Sequence, residues 1–486
     1  MFHPRMKRSV APGLYGPCMT NEKVSSSVSS IHNVGAALAA ASLGFGLIQL
    51  DVTIVNVALP RIGAALGAPV DVLQWVVDAY ALVFAVLLLS AGVLGDRFGA
   101  RRVFRAGLVL FALASLGCGF APSAGMLIAM RALQGIGAAA MLPASLALLN
   151  HACHHDGRLR ARAIGLWTAA GGVTIAAGPL IGGLLIAAGS WRTIFLVNLP
   201  ICVLGAWLTV RVAETERAPR APHLDLAGQL LAIAALTGLT GAVIELRPLG
   251  LYHPLVLGGF AIALAAGVAF VRCEARSHAP MLPLRLFRLP SFSPAVGFGV
   301  LANLTYYGIV FVLSLYLQRV LGYSAFAAGL AYLPLTATFI VSNVASGWVI
   351  GRAGTRRPMI AGALVGAAGF VLLLGLGSGT PYWRMLPGFA LIPLGMGLAV
   401  PAMTTTILSA VDKTASGVVA AVLNAARQAG GAMGVALFGA FAGNGHIVVG
   451  LHIAVLTAVA AMVTASGLAA WGIGDRPTVP LRPERA

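Results

Sequence analysis

The sequence predicts an all-α membrane protein built from two related halves, and three observations lead to this. Only 9% of the 486 residues are charged and 59% are hydrophobic, whereas soluble proteins carry roughly 25% charged residues. The apolar residues fall into stretches of about 20, the length that a helix needs to cross a ~30 Å hydrocarbon layer. A basic, glycine-marked segment also occurs twice, as GVLGDRFGARR at Gly92–Arg102 and GWVIGRAGTRR at Gly347–Arg357.

Fourteen apolar stretches are candidate membrane-spanning helices. Their limits lie near 34–59, 72–95, 103–121, 125–149, 161–188, 192–212, 225–246, 253–271, 292–317, 326–350, 358–378, 385–410, 414–441 and 448–472. The repeated segment follows the second and the tenth stretch, so the halves comprise helices 1–6 and 9–14. We therefore expect a tail at 1–33, a six-helix bundle at 34–213, two inserted helices with linkers at 214–290, a second bundle at 291–473 and a tail at 474–486.

The basic residues orient the chain in the membrane. If the N-terminus is cytoplasmic, most of the 32 Lys and Arg residues fall in cytoplasmic segments, as the positive-inside rule requires. The exceptions are the outer residues Arg61, Arg192, Arg247, Arg319 and Arg384, and Arg131 and Arg427 within spans. We expect a multi-pass protein of a bacterial cytoplasmic (inner) membrane with both termini cytoplasmic. The net charge of +18 then reflects short loops, and no nucleic-acid partner is expected.

Three charged residues inside the first half are candidates for proton coupling. Asp51, Asp78 and Arg131 lie at a similar depth on helices 1, 2 and 4. A lone charge in hydrocarbon costs at least ~2.5–3.5 kcal/mol, so these groups should face each other or a wet cavity. Neighbouring carboxylates and an arginine shift a carboxyl in opposite directions and can tune it to exchange protons. A static buried ion pair is the alternative for Asp51 with Arg131, and for Asp78 the two interpretations are balanced.

The first copy of the repeated segment is a candidate conformational gate. Its residues are Gly92, Asp96, Arg97, Gly99, Arg101 and Arg102. A carboxylate at Asp96 can pair with basic groups or with a positive helix N-terminus, and such a latch could hold one conformation. The second copy has Gly351 in place of the acid, so the latch should be stronger in the first half. The alternative is a basic turn that only fixes topology.

The fifth helix carries the segment GPLIGG, formed by Gly178, Pro179, Gly182 and Gly183 with two intervening apolar residues. Proline removes a backbone donor and bends a helix, while the glycines permit close helix approach. The alternative to a specific functional motif is an ordinary proline kink.

The second half contains a candidate substrate pathway. Arg427 lies near the middle of helix 13, with Asn424 and Gln428 on neighbouring turns, and no carboxylate of the second-half helices can neutralise it. Tyr306, Tyr307 and Met403 are further candidates for a cavity lining. Arg427 could instead tether helices as a hydrogen-bond donor, and the tyrosines could anchor the chain at the lipid interface. We interpret the segment HACHHD at His151–Asp156 as a polar loop rather than a metal site.

These segments resemble the major facilitator superfamily, in particular its drug–proton antiporter family with fourteen transmembrane helices. GVLGDRFGARR is similar to the family's loop between helices 2 and 3, although Ala100 stands where a basic residue is common. GPLIGG resembles the motif of its proton antiporters. The resemblance extends through LDVTIVNVALP, WVVDAYAL, RALQGIGAAAMLP and LNAARQAGGAMG, and covers residues 34–472. It implies a major facilitator fold of two six-helix bundles plus two inserted helices.

The resemblance implies a proton-coupled multidrug efflux transporter that works by alternating access. The sequence shows no nucleotide-binding motif, zinc site or catalytic triad, so we expect no enzyme and no cofactor, with the proton gradient as energy source. The expected partners are the lipid bilayer, protons and a small hydrophobic or amphiphilic substrate such as a drug; a periplasmic adaptor is left open. A narrow-specificity metabolite or self-resistance exporter is the first alternative, and a non-transporting membrane sensor the second.

Overall fold

The protein is helical throughout the part that a computed structural model describes, which confirms the predicted all-α membrane fold. The described residues are 21–153, 157–215, 225–277, 280–411, 416–443 and 446–474. No β-strand occurs among them. This follows from the composition, because a helix satisfies its own backbone hydrogen bonds within hydrocarbon.

The helices of the first half are α1 (Asn21–Leu66), α2 (Val70–Phe98), α3 (Ala100–Gly119), α4 (Ala124–Ala152), α5 (Gly157–Ala188), α6 (Thr193–Leu196) and α7 (Asn198–Leu208). The inserted pair is α8 (Leu226–Leu249) and α9 (Pro254–Arg276). The second half comprises α10 (Phe292–Leu315) with a π-helical turn Tyr316–Val320, α11 (Ala325–Ala331), α12 (Leu333–Ala353), α13 (Arg356–Leu372), α14 (Leu386–Ser409), α15 (Ser416–Ala442) and α16 (Ile447–Gly472). The short helices α6 and α7 together form the sixth predicted span, and α11 and α12 form the tenth.

Two features depart from the predicted limits. Helix α1 begins at Asn21, inside the segment that we predict to be a tail, and it continues through Pro60 to Leu66. By length and composition, twelve described helices can cross a membrane, or thirteen if the bent α5 counts as one span. Helix α15, which carries Arg427, is not among them. The count of fourteen therefore stays a prediction, and residues 1–20, 216–224 and 475–486 lie outside the described part.

The repeated basic segments form equivalent turns. Gly99 separates α2 from α3 with a φ of 95°, and Gly354 separates α12 from α13 with a φ of 72°. Only glycine adopts such left-handed conformations readily, which explains why both copies keep this residue. We call the end of the bundle that carries these two turns the basic end; it is the end predicted to be cytoplasmic.

The opposite end holds the two halves together, and Pro60 helps to make this possible. Proline has no N–H, so the carbonyl of Asn56 loses its usual partner within α1. The hydroxyl of Ser314 on α10 donates to this carbonyl oxygen at 2.6 Å. The side-chain amide of Gln318 donates to the carbonyl oxygen of Val57, the following residue of α1, at 3.0 Å. We call this opposite end the sealed end.

A second pair of hydrogen bonds joins α2 to α15 at the sealed end. The amide of Gln74 donates to the carbonyl oxygens of Val435 and Ala436, at 3.1 and 2.6 Å. The inserted helix α8 also contacts both halves. Its Gln229 donates to the carbonyl of Val86 on α2 at 3.0 Å, and its Arg247 donates to the carbonyl of Ala440 on α15 at 3.1 Å.

The Gln74 bonds predict a measurable effect on this seal. Gln74→Ala removes two buried hydrogen bonds, each worth about 0.5–1.5 kcal/mol, and should increase the population that is open at the sealed end several-fold. Labelling of a cysteine introduced at Asp71 with a membrane-impermeant maleimide, in a background without native cysteines, measures this population. Thr457→Ala is the matched control, because this exposed hydroxyl bonds only to its own helix. Equal labelling rates in Gln74→Ala and the control would show that these bonds do not hold the seal.

Candidate functional site

Asp51 and Arg131 form a buried ion pair in the first half. Their side chains are 0% and 1% exposed, and the guanidinium of Arg131 donates to one carboxylate oxygen of Asp51. Two further N–H groups of Arg131 are also used, because Nε donates to the carbonyl of Val76 at 3.0 Å and Nη1 donates to the side-chain oxygen of Gln134 at 2.9 Å. The guanidinium carbon lies 4.4 Å from the centre of the Tyr80 ring, a distance typical of a cation–π contact.

The second carboxylate oxygen of Asp51 is held by amide groups. Asn198 on α7 donates to it at 3.1 Å and Gln134 on α4 at 3.4 Å. Both amides also donate to the hydroxyl of Ser115 on α3, at 3.2 and 2.7 Å. Each of these side chains is fully buried. Since hydrogen bonds to a carboxylate favour its ionised form, this arrangement stabilises a charged Asp51.

The site residues predicted from the sequence do not include Ser115, Gln134, Asn198 or Tyr80. Their position in the sequence does indicate a buried contact, because a lone amide inside an apolar span needs a hydrogen-bond partner to offset its desolvation. The sequence could not show which partner it finds, since that depends on how five helices pack.

Asp78 lies apart from this ion pair. It is 0% exposed, and neither carboxylate oxygen has a hydrogen-bond partner among the described residues. Arg131 reaches α2 at the carbonyl of Val76 instead of at this carboxyl. The expected grouping of three charges is therefore realised for two of them. Asp78 is one helical turn from Gln74, so it lies on the face of α2 that packs against α15.

The GPLIGG segment of α5 uses its two faces for different neighbours. A Cβ placed on Gly178 would lie 2.8 Å from the Cβ of Thr53 on α1, and one on Gly182 would lie 3.0 Å from the carbonyl oxygen of Ile54. On the other face, a Cβ on Gly183 would lie 2.8 Å from the carbonyl oxygen of Ala325 on α11. Gly178 and Gly182 are four residues apart and share the face of α5 that meets α1, whereas Pro179 and Gly183 share the face that meets α11. The segment thus packs α5 closely against both halves.

Pro179 belongs to the face that meets the second half. A Cβ on Gly329 of α11 would lie 3.1 Å from the carbonyl carbon of Pro179. Helix α5 bends by 45° between Arg162–Ile175 and Ala177–Ala188. The bend lies within one turn before the proline, where the missing donor and the ring weaken the helix.

The basic turn is stabilised by an acid that the sequence analysis did not select. Glu214 forms ion pairs with Arg101 and Arg102, each at 3.6 Å, and accepts the backbone N–H of Arg101 at 2.9 Å. It thereby occupies the positive N-terminus of α3. Asp96 and Arg97 are exposed at this end, and no ion pair of Asp96 occurs within the described residues. In this conformation Glu214, and not Asp96, pairs with Arg101 and Arg102, so the latch role of Asp96 stays a prediction.

The candidate pathway residues of the second half divide into two groups. Met403 is fully buried, and the Asn424 amide donates within α15 to the carbonyl of Ala420 at 2.9 Å. Tyr306, Tyr307, Gln428 and Arg427 are half-buried. The two tyrosine rings meet edge to face, with centroids 5.4 Å apart. Arg427 forms no hydrogen bond or ion pair with the described residues, and its Nε is buried.

These features define a polytopic helical membrane protein with a buried charge network in one half. Residues 41–435 match the family described as the Major Facilitator Superfamily, and the chain belongs to this family. Among curated relatives, the methylenomycin A resistance protein of Streptomyces coelicolor is 38% identical over 83% of this chain and 85% of its own length. The multidrug resistance protein Stp of Mycobacterium tuberculosis is 37% identical over 83% of this chain and 74% of its own.

The tetracenomycin C resistance and export protein of Streptomyces glaucescens is 35% identical over 83% of this chain and 74% of its own length. Among solved structures, the crystal structure of a D-xylose–proton symporter superposes with a TM-score of 0.68 at 15% identity, covering 92% of this chain and 100% of that one. At this identity the likeness concerns the fold alone, and it supports the expected major facilitator architecture.

The packing of α5 predicts different outcomes for two glycines of the same helix. Gly183→Ala places a methyl group against the α11 backbone, and overpacking of this kind costs about 1–3 kcal/mol. Gly172→Ala is the control, since nothing lies within 4 Å of its added Cβ. We expect Gly183→Ala to lower transport at least tenfold and Gly172→Ala to retain it, measured in energised membrane vesicles at equal protein content. Similar activity of the two variants would contradict the close contact.

Proposed function

We propose that the chain exports hydrophobic or amphiphilic small molecules in exchange for protons. The export role is supported by relatives whose names describe drug resistance, antibiotic resistance and export. The coupling role rests on one observation in the structure: two fully buried carboxyl groups in the same half have opposite surroundings. Asp51 is paired with Arg131 and with amide donors, while Asp78 has no hydrogen-bond partner among the described residues.

The two surroundings favour opposite protonation states. Removing an ion from water costs several kcal/mol unless a counter-charge and hydrogen bonds compensate. Asp51 has both kinds of compensation, so the ionised form is favoured in this conformation. Asp78 has neither, so the form that keeps its proton is cheaper to bury. The first half can therefore hold one proton and one charge pair at the same time.

Proton binding at Asp51 provides a physical route to coupling. A protonated Asp51 no longer neutralises Arg131, which would then need another partner or water. Because the pair connects α1 with α4 and contacts α2 through the carbonyl of Val76, its loss weakens the packing of three helices at once. In our proposal, Asp51 is the principal proton carrier and Asp78 assists, while Arg131 competes with the proton.

Alternating access requires a gate at each end. Hydrogen bonds of Gln74, Ser314 and Gln318 join the halves at the sealed end. We propose that the exposed Asp96 closes the basic end in the opposite conformation, by pairing with groups of the second half. In the conformation with a closed sealed end, Glu214 occupies the N-terminus of α3 and stabilises the basic turn.

Substitution of Asp51 tests the coupling. Asp51→Asn keeps the size and the hydrogen-bonding shape but cannot exchange a proton, so pH-driven transport in proteoliposomes should fall to background. Exchange of labelled for unlabelled substrate without a pH gradient should persist, because it needs no net proton movement. The matched control is Asp71→Asn, which removes an acid from the first turn of α2. Normal pH-driven transport by Asp51→Asn would rule out its role as carrier.

Substitution of Asp96 tests the gate. Asp96→Asn should leave the thermal stability nearly unchanged, since this residue is exposed and has no ion-pair partner in the described part. It should also increase labelling of cysteines near the basic end at least twofold. Glu214→Gln should instead lower stability by about 0.3–1 kcal/mol, the usual value of an anion at a helix N-terminus. If Asp96→Asn and wild type label equally, Asp96 does not contribute to closure.

The breadth of specificity separates this proposal from a narrow metabolite or self-resistance exporter. The names of the relatives include both multidrug resistance and resistance to a single antibiotic. An efflux panel in a pump-deficient host distinguishes the two, because a multidrug exporter should protect against several unrelated compounds. A membrane sensor would give no substrate-driven proton movement in vesicles.

A further inference from the structure

Arg427 is a half-buried cation that makes no hydrogen bond or ion pair with the described residues of the second half. A guanidinium has five N–H donors and no means of losing its charge under ordinary conditions. Among the described residues, none of these donors makes a hydrogen bond, no carboxylate lies within 4.0 Å, and Nε is buried. Arg131 of the first half differs from Arg427 in this respect, because it pairs with Asp51, donates hydrogen bonds and stacks on Tyr80. Placing an arginine without a partner at this depth costs free energy, and no hydrogen bond or ion pair within the described residues offsets that cost.

The surroundings of Arg427 leave its charged group open while its stem is packed. A Cβ on Gly299 of α10 would lie 3.2 Å from Cγ of Arg427 and 2.8 Å from the sulfur of Met403 on α14. The stem therefore runs along the α10 backbone beside Met403, and the absence of a side chain at residue 299 makes room for it. The residue as a whole is only half-buried, so the guanidinium reaches accessible space.

Tyr307 completes this site on the same helix pair. Its ring lies against Gly431, where a Cβ would be 2.9 Å from Cδ2 of the ring, and Gly431 is one turn from Arg427 on α15. Gly299, which lies beside the stem of Arg427, is two turns from Tyr307 on the same helix α10. The Tyr307 hydroxyl makes no hydrogen bond within the described part of the chain, and Tyr306 meets the Tyr307 ring edge to face. A cation and a free phenol thus lie next to each other.

The site faces the charge network of the first half. Ala425, two residues before Arg427 on α15, packs against the first-half cluster of buried residues that contains Tyr80, and Tyr80 is the ring on which Arg131 lies. A ligand held by Arg427 and Tyr307 would therefore lie beside the element that contacts the ion pair. No acid lies between residues 291 and 473 except Asp412, which is outside the described residues, so the second half offers a cationic ligand little to bind.

We propose that Arg427 and Tyr307 bind an anionic oxygen group of the exported compound, a carboxylate or an ionised phenol. The proposal rests on the exporter function and adds a substrate class to it. A planar guanidinium holds two oxygens of a carboxylate at once, and a hydroxyl donates to one of them. In a medium of low dielectric constant the same charge repels cations strongly. The site therefore selects anionic over cationic amphiphiles.

The experiment measures binding to the purified full-length protein in nanodiscs of neutral lipid. Three probes share a naphthalene ring and differ in one group: 2-naphthoate, its methyl ester and 2-naphthylmethylammonium. We expect 2-naphthoate to raise the melting temperature of wild type, the ester to bind at least tenfold more weakly, and the ammonium compound not to bind. Wild type that binds the ammonium probe as well as the carboxylate, or binds no carboxylate, overturns the proposal without any variant.

Variants then assign the binding to the side chains. Arg427→Gln should lose 2-naphthoate binding at least tenfold, Arg427→Lys should retain part of it because the charge remains, and Tyr307→Phe should weaken it several-fold. Arg384→Gln, which removes an exposed arginine of the same half, should bind like wild type. Folded Arg427→Gln with wild-type affinity, or equal loss of folded protein in Arg427→Gln and Arg427→Lys, contradicts a binding role. Binding of 2-naphthoate is measured without a pH gradient and pH-driven transport with one, so failure of this site and failure of proton coupling are distinguishable.

Discussion

The ion pair between Asp51 and Arg131 is the interaction on which the first half depends. It connects α1 to α4 directly, and its hydrogen bonds extend to α2, α3 and α7 through Val76, Ser115 and Asn198. Between transmembrane helices the hydrophobic effect contributes little, so close packing and hydrogen bonds determine association. Removing one partner of a buried pair usually costs about 3–5 kcal/mol. A group that exchanges protons here can therefore change the packing of a whole bundle.

The two halves share a scaffold but differ in their polar chemistry. Equivalent glycine turns at Gly99 and Gly354 join equivalent helices, as expected for a duplication. The first half contains an arginine that is neutralised by Asp51 within a hydrogen-bonded network, whereas the second contains Arg427 without a counter-charge among the described residues. In our proposal, such a division lets one half respond to protons and leaves the other free to bind substrate. The GPLIGG segment of α5 lies between them and contacts both.

Much of this arrangement could be predicted from the sequence, because membrane spans are determined by local composition. The spans, the glycine turn and the pairing of Asp51 with Arg131 follow from length, backbone conformation and the cost of charge in hydrocarbon. The partners of single polar groups could not be predicted in this way. Glu214 occupies the place expected for Asp96 only because the chain after α7 returns to the start of α3. Gln74 seals the bundle only because α15 comes within hydrogen-bonding distance.

Pro60 has a consequence for how the sealed end opens. The carbonyl of Asn56 lacks a partner within its own helix, and the hydroxyl of Ser314 supplies one while the halves are together. When the halves separate, this oxygen still needs a donor, and in an apolar environment the loss would cost about 1–3 kcal/mol. Water is the donor that can replace the hydroxyl. In the proposed alternating access, opening of the sealed end is therefore coupled to hydration of the Asn56 carbonyl on α1.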